Sequence, residues 1–444
     1  MKPARSWRTQ RKSDFVGMIS EFPRADMNVY FYLIIIFYVS SFIWEQVLSH
    51  LNRTRMNPLM PQELEGIYDP SEYARQQAYQ RENDRFGTIT DGFLFALSLA
   101  VLLYGGLGWL DGLLREYVGQ PLLLTLAFFG ALSVLLWLIN IPFELYDTFV
   151  IEEKFGFNKT TPQTFAADQI KSFALSMVLQ GVLLAILFAA YTYFGAWFWL
   201  PAWALISAFS LLLVFFYSEW IVPLFNRQTP LEEGELRSAI EGFAEKVSFP
   251  IHNIYVMDGS KRTTKSNAYF TGFGRKKRIV LYDNLIEELG TEEIVAVLAH
   301  EIGHYKKKHI AYHLTMSLLS TGFMLWLLSI FLENPAIAHA LGGAAPSLHL
   351  GLAGFALLYT PISEVLSLAA SCVSRRNEYE ADSFTAAHQL GDALVSALKK
   401  ISSKALSNLT PHPLVVFWKY SHPTLLQRMQ NMQDIKKTQK QTAA

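Results

Sequence analysis

Tyr30-Phe31-Tyr32-Leu33-Ile34-Ile35-Ile36-Phe37-Tyr38-Val39 carries no charge and is apolar on every face that a helix would present. It lies inside a run from about 27 to 48 that is long enough, at a helical rise of 1.5 Å per residue, to cross the hydrocarbon core of a bilayer. Six more runs of that kind follow, at roughly 88 to 110, 121 to 141, 173 to 195, 199 to 222, 310 to 332 and 351 to 373. The boundary between the fourth and fifth, near Trp199-Leu200-Pro201, is short, and Pro201 suits a helix start. The 444-residue composition agrees: 51% hydrophobic and 14% aromatic against only 17% charged is too apolar for a soluble chain of this length.

The residues ahead of the first run, Met1 to Arg24, are charged and mixed in character and end in no small-residue processing site, so that run is expected to remain as a span. Lys and Arg number 38, matching 38 Asp and Glu, and this zero net charge gives no reason to expect a nucleic-acid partner. A single cysteine, Cys372, excludes an internal disulfide and leaves little sulfur for metal binding. The lipid bilayer is the partner that composition demands, whereas nothing in the sequence sets an oligomeric state.

Between the fifth and sixth runs lies a polar segment, 223 to 309. It contains the one motif that states a chemistry, His300-Glu301-Ile302-Gly303-His304. Two imidazoles four residues apart on a helix share a face and are able to bind one Zn²⁺, and Glu301 beside them is placed to take a proton from water. Thr291-Glu292-Glu293 supplies an N-cap and acidic first turn, and Ile294-Val295-Ala296-Val297-Leu298 an apolar run, so the motif falls in a helix interior. Ahead of it, Leu231 to Val247 reads as an amphipathic helix. Ile254-Tyr255-Val256-Met257, Ala268-Tyr269-Phe270-Thr271-Gly272-Phe273 and Arg278-Ile279-Val280-Leu281-Tyr282 read as strands, with turns at Asp258-Gly259-Ser260 and Phe273-Gly274-Arg275. A strand there serves either as scaffolding or as a free edge that pairs with an extended peptide.

A catalytic zinc needs a third protein ligand. The metzincin continuation is absent, because Lys307 and Ile310 occupy the positions of its glycine and third histidine. His309, five residues past His304, is expected on another face of the same helix, toward headgroups or loops. The better candidate is Glu378, in Arg375-Arg376-Asn377-Glu378-Tyr379-Glu380-Ala381-Asp382 after the seventh run. Asp382 lies one turn further along, where it would orient a histidine from behind, and Glu380 is the competing carboxylate, facing elsewhere. Two spans separate His304 from Glu378, so the chain leaves one side of the bilayer and returns to it, and both ligands fall within roughly 10 Å of the span ends.

Lys and Arg cluster in the loops before the second span, after the third, in 223 to 309 and in the C-terminal tail, while Arg115 stands alone between the second and third. The positive-inside rule therefore puts the metal motif on the cytoplasmic side. Strict alternation through seven spans cannot place every basic loop there, and Lys2, Arg5, Arg8, Arg11, Lys12 and Arg24 compete for the same face. The segments nearest the motif decide the assignment. The parts are then a tail (1–26), five spans (27–222), the metal-binding domain (223–309), two spans (310–373) and a closing segment (374–444).

Longer matches accompany these motifs: Pro142-Phe143-Glu144-Leu145-Tyr146, Thr148 to Lys159, Pro223-Leu224-Phe225-Asn226, Ile254 to Arg262, Ser266-Asn267-Ala268-Tyr269-Phe270, Arg278-Ile279-Val280-Leu281, Asn377 to Asp382 and Tyr420-Ser421-His422-Pro423. In this order and spacing the chain resembles the type I CAAX prenyl proteases, integral-membrane zinc metallopeptidases that cut near the C-terminus of isoprenylated proteins. The resemblance implies a mainly α membrane protein of seven transmembrane helices enclosing a chamber, with a small α+β gluzincin-like catalytic domain on the cytoplasmic side. Such a chamber would house Glu144, Asp147, Glu219 and Glu364, which are costly facing lipid. It further implies one Zn²⁺ held by His300, His304 and Glu378, with Glu301 as general base. Asn267, Ala268 and Tyr269 fall in the edge strand that holds substrate. His422 would donate to the oxyanion, and Arg428 would pair with Asp382 or another carboxylate. The implied substrate is a peptide or protein, prenylated in the CAAX case, with a general quality-control peptidase of the membrane as the alternative. The membrane would be of the endoplasmic-reticulum type in a eukaryote and the inner membrane in a bacterium. A transporter or binding scaffold would leave both His300-Glu301-Ile302-Gly303-His304 and Glu378 unexplained.

Overall fold

The computed structural model describes residues 25–443 apart from 58, 250, 252 and 272–277. The basic residues of the N-terminal tail, the turn at Phe273-Gly274-Arg275 and the end of the strand ahead of it lie outside the described residues.

Seven described helices are long and apolar enough to span a bilayer. The first five are α1 (Val29–Arg53), α2 (Pro70–Leu103), α4 (Pro121–Tyr146), α5 (Pro162–Phe194) and α6 (Trp199–Phe216), with a shorter α3 (Gly106–Arg115) between α2 and α4. Several start on a side chain that accepts the orphan N–H groups of the first turn, which no lipid would satisfy. Asn28 caps α1, Asp69 caps α2, Gln120 caps α4 and Thr161 caps α5, the last three followed by proline at the first helical position. The apolar run expected over 88 to 110 is broken. Gly105, at a φ of 66°, turns the chain after Leu103, and its final residues form α3 instead of extending the span. Wider π turns continue α4 over Asp147–Glu152 and α6 over Tyr217–Ile221.

The membrane helices form an open ring. Only 6% to 17% of the residues in each span's most apolar window are buried, less than a close-packed bundle allows, so the helices keep two accessible sides. Polar groups within the spans meet one another: Ser41 Oγ donates to Glu364 at 2.8 Å, Trp137 Nε1 to Gln169 at 3.1 Å, and Gln169 in turn bonds Glu144. Carboxylates and amides are expensive against hydrocarbon, so these faces line the interior of the ring.

After α6 the chain builds a small domain, with β1 (Gln228–Pro230), α7 (Glu235–Lys246), β2 (Asn253–Met257), β3 (Ala268–Thr271), β4 (Arg278–Tyr282), α8 (Asp283–Glu288) and α9 (Thr291–Lys306). β1 is not apparent in the sequence as a strand. The sheet runs β1-β2-β4-β3, with β2 and β4 parallel and the outer strands antiparallel to their neighbours, which leaves β3 at an edge. Ile240, Phe243, Ile254, Ile279, Leu281, Val295, Leu298 and Ile302 close one core between α7, the sheet and α9. The alternation of the strands and the 3.6-residue spacing of the helices put these side chains on facing surfaces, and burying each contributes about 1.5–3 kcal/mol.

Ion pairs fasten this domain to the membrane helices. Arg262 clasps Asp168 of α5 through Nε (2.7 Å) and Nη2 (3.0 Å), Lys265 reaches Glu152 at 2.7 Å, and Arg278 reaches Glu219 at 2.8 Å. The chain re-enters the membrane as α10 (His309–Phe331), turns through α11 (Pro335–Ala340) and returns as α12 (Leu348–Ala387), a single 40-residue helix running well past the apolar run. Three helices, α13 (Gly391–Lys404), α14 (Pro413–Lys419) and α15 (Leu425–Ala443), then fold back over α9 and α12.

Candidate metal centre

Helix α9 carries both histidines of the motif. Gly290 stands at the cap position, one residue before the expected Thr291, and Glu293 Oε2 accepts its N–H at 2.8 Å. The same carboxylate accepts from Ser396 and Lys400 of α13 at 2.7 and 2.8 Å, tying the start of α9 to the C-terminal segment. Gly303, between the histidines, faces Ala381 of α12. A Cβ there would stand 3.2 Å from Ala381 Cα and 3.3 Å from its carbonyl oxygen, so only glycine lets the two helices meet this closely.

That approach brings Glu378 to the two imidazoles. His300 Nε2 and His304 Nε2 are 3.1 Å apart, Glu378 Oε2 is 3.3 Å from the first, and Oε1 is 3.2 Å from the second. One ligand atom from each of the three residues lies within 4.8 Å of the others, a group that could hold a metal ion. Glu378 Oε2 is buried and, among the described residues, accepts no hydrogen bond, although the Arg428 guanidinium stands 3.6 Å away, so it keeps a lone pair that a divalent ion would satisfy. Two imidazole nitrogens and a carboxylate are the donor set of catalytic zinc sites, and leave a fourth position open.

Behind His300 and Glu378 lie Asp382 and Arg428. Asp382 is fully buried, with Oδ1 3.0 Å from His300 Nδ1. Arg428 of α15 grips it with two bonds, Nη2 to Oδ1 at 2.6 Å and Nε to Oδ2 at 3.0 Å, and its Nη1 stands 3.6 Å from Glu378. Arg428 Nη2 also approaches His300 Nδ1 at 3.2 Å. A His300 that donates from Nδ1 to Asp382 leaves its Nε2 lone pair facing Glu378 and His304. Burial opposes charging His300, but the carboxylates of Asp382 and Glu378 outweigh it and raise its pKa above the usual 6.5. Glu301 is half-buried, and among the described residues its carboxylate makes no hydrogen bond or ion pair.

Two segments of the chain match known protein families. Residues 48–227 fit the family model of the CAAX prenyl protease N-terminal region with its five membrane helices, and residues 230–436 fit peptidase family M48. The chain belongs to peptidase family M48. Among relatives, the CAAX prenyl protease 1 homolog of Oryza sativa subsp. japonica is 33% identical over 416 residues, covering 91% of this chain and 97% of its own. The Saccharomyces cerevisiae CAAX prenyl protease 1 is 32% identical, covering 88% and 93%. The crystal structure of S. mikatae Ste24p superposes with a TM-score of 0.87 at 31% identity, covering 92% of this chain and all of the other. The M48 chain is thus a membrane-embedded metalloprotease that acts on peptide bonds. Its architecture is the expected one: seven membrane helices around a chamber, with a small α+β domain.

The remaining candidate residues fall into two groups. His422 reaches the cluster, Nε2 lying 3.3 Å from Glu378 Oε1, and its side chain stays 65% exposed, open to an incoming substrate. Asn267, Ala268 and Tyr269 sit on the sheet edge. Asn267 accepts from Ala268 N–H at 2.8 Å and from Tyr282 N–H at 3.1 Å, and the Tyr269 hydroxyl accepts from Gln228 at 3.2 Å. None of their side-chain hydrogen bonds reaches His300, His304 or Glu378 among the described residues.

His309 corrects the sequence reading. It is not on the outer face of the motif helix, because that helix ends at Lys306 and Lys308 takes a left-handed conformation at a φ of 61°. The resulting bend returns the buried His309 ring to His304, the two Nδ1 atoms 3.1 Å apart. Glu380 does face away from the ligands, as expected, and meets His309 Nε2 at 3.3 Å. A non-glycine αL residue leaves no mark in a sequence, and the five-residue spacing of His309 pointed away from this contact.

Proposed function

We propose that this chain is a zinc endopeptidase that removes C-terminal residues from prenylated CAAX proteins at the cytoplasmic face of its membrane. That membrane is of the endoplasmic-reticulum type in a eukaryote and the inner membrane in a bacterium. The observation that carries the chemistry is the meeting of His300, His304 and Glu378, one ligand atom of each lying within 4.8 Å of the others. The substrate class is drawn from what the relatives are named for, CAAX prenyl protease 1, over nearly their whole length.

The chain's own residues divide the work. His300, His304 and Glu378 hold the zinc. When bound, zinc supplies a Lewis acid that polarises the scissile carbonyl and brings the pKa of water toward neutrality. Glu301, whose carboxylate makes no hydrogen bond or ion pair among the described residues, accepts the proton of the attacking water and passes it to the leaving amine nitrogen, so no covalent acyl-enzyme forms. His422, exposed beside the ligands, donates a hydrogen bond to the oxygen on which negative charge develops. The free edge of β3, beginning at Asn267 and Ala268, pairs with the substrate backbone and holds it extended. Asp382 and Arg428 keep the His300 ring turned toward the metal.

Cleavage of a farnesylated CAAX peptide and of its unmodified twin, each with and without a chelator, tests the reading. The farnesylated peptide should be cut faster, and the chelator should abolish cleavage until zinc is restored. Equal rates on both peptides would replace the CAAX reading with that of a general membrane peptidase, and cleavage insensitive to chelation would remove the metal from the reaction.

A further inference from the structure

The two metal-facing histidines are supported in different ways. His300 has a carboxylate directly behind it, Asp382. His304 has none: its Nδ1 faces the Nδ1 of a third histidine, His309, and the carboxylate stands one residue further back at Glu380. We propose that His309, held by Glu380, is a positioning residue that fixes the ring plane and tautomer of His304. This rests on the zinc reading above.

Hydrogen bookkeeping leaves one consistent arrangement. Glu380 Oε2 accepts from His309 Nε2–H at 3.3 Å, so the His309 Nδ1 lone pair is left facing His304. His304 Nδ1–H then donates to it at 3.1 Å, which leaves the His304 Nε2 lone pair toward Glu378 and the metal position. With either ring turned over, two N–H groups or two lone pairs would oppose each other. Arg376 Nε holds Glu380 Oε1 at 3.2 Å, so the carboxylate is oriented for its task. The fold commits backbone strain to this contact: Lys308 sits at a φ of 61° and a ψ of 24°, a left-handed conformation that an L side chain disfavours. Without that bend α9 would continue into α10 and carry His309 away. His309 is buried, and its ring lies 5.2 Å from that of His304, tilted by 72°.

Zinc affinity of the full chain in detergent, measured by chelator competition, tests this. Outer partners of metal-binding histidines typically alter affinity by about 10–100-fold. His309→Leu should raise the zinc Kd by roughly that factor. His309→Gln should recover most of it, because its amide oxygen accepts from His304 and its nitrogen donates to Glu380. Glu380→Gln, at a partly exposed position that burdens folding little, should also weaken zinc, since its amide would donate to His309 Nε2 and reverse the tautomer. In the cobalt-loaded protein, His309→Leu should shift the visible d–d bands and His309→Gln should restore them. An unchanged Kd in both His309→Leu and Glu380→Gln, or a His309→Gln no better than the leucine variant, would overturn the inference while leaving the zinc site standing. An unaltered chain that binds no zinc would overturn the underlying reading, and this one with it.

Discussion

At the scale of single residues, the proposed mechanism separates groups that would hold the metal from groups that would move protons. Glu301→Gln keeps size and hydrogen bonding but removes the base, so zinc content should stay at one per chain while turnover falls about 10²–10⁴-fold. Retained turnover would overturn the assignment of the base. His304→Ala should lose metal and activity together, as metal analysis of the purified variant would show. Arg428→Ala leaves a fully buried Asp382 carboxylate without its bidentate partner, and breaking such a pair costs about 3–5 kcal/mol. Its melting temperature should fall even when zinc is absent. The raised pKa of His300 has a definite sign. In the metal-free chain the protonated ring persists above pH 6.5, so protons compete with zinc at a higher pH than for an ordinary imidazole. Zinc affinity should therefore begin to weaken at a higher pH than an ordinary imidazole would give, and a chelator titration from pH 8 to 6 reads the effect. His300, His304, Glu378 and Asp382 were legible because helical periodicity places residues four apart on one face. His309 was not, since its position depends on the backbone of Lys308 and not on any side-chain pattern.

At the scale of elements, the approach of α9 to α12 sets the geometry of the ligands. Gly303→Ala would put a methyl group 3.2 Å from the α12 backbone at Ala381, forcing the helices apart by a few tenths of an ångström. Zinc affinity should drop although no ligand has changed, and an unaltered Kd would show that the helices have slack. The start of α9 depends on Glu293. Burial disfavours its charge, but hydrogen bonds from Lys400, Ser396 and Gly290 prevail and lower its pKa below 4.5. A depressed carboxylate stabilises the fold above its unfolded pKa and loses that contribution as pH falls through the folded value. Glu293→Gln should thus cost about 1–2 kcal/mol at neutral pH, with the difference from the parent shrinking as the pH falls below 4.5 and through the depressed folded value. The apolar runs announced six of the spans well, because length and hydropathy suffice in a bilayer. The second ended early at Gly105, whose positive φ no hydropathy window registers. The strands β2 and β4 followed from alternation, whereas the three-residue β1 is too short to show any.

At the scale of the whole molecule, a membrane hairpin closes the metal site. α10 leaves the motif, α12 returns Glu378 to it, and the C-terminal helices bring Arg428 from behind. The sequence disclosed this return, since two spans separate the ligands, but it could not disclose the chamber, which depends on how loosely the helices pack. The ion pairs at Asp168, Glu152 and Glu219 join the small domain to the ring, and their acidic partners were visible beforehand only as charges beside apolar runs. The central claim is that two imidazoles and one carboxylate from opposite arms of the hairpin hold a single zinc. X-ray absorption fine structure of the zinc-loaded chain, read beside the zinc content of Glu378→Ala, tests it most directly. The account predicts one zinc per chain with nitrogen and oxygen neighbours at about 2.0–2.1 Å, and its loss in the alanine variant. A sulfur neighbour near about 2.3 Å, or full zinc content after Glu378→Ala, would contradict it.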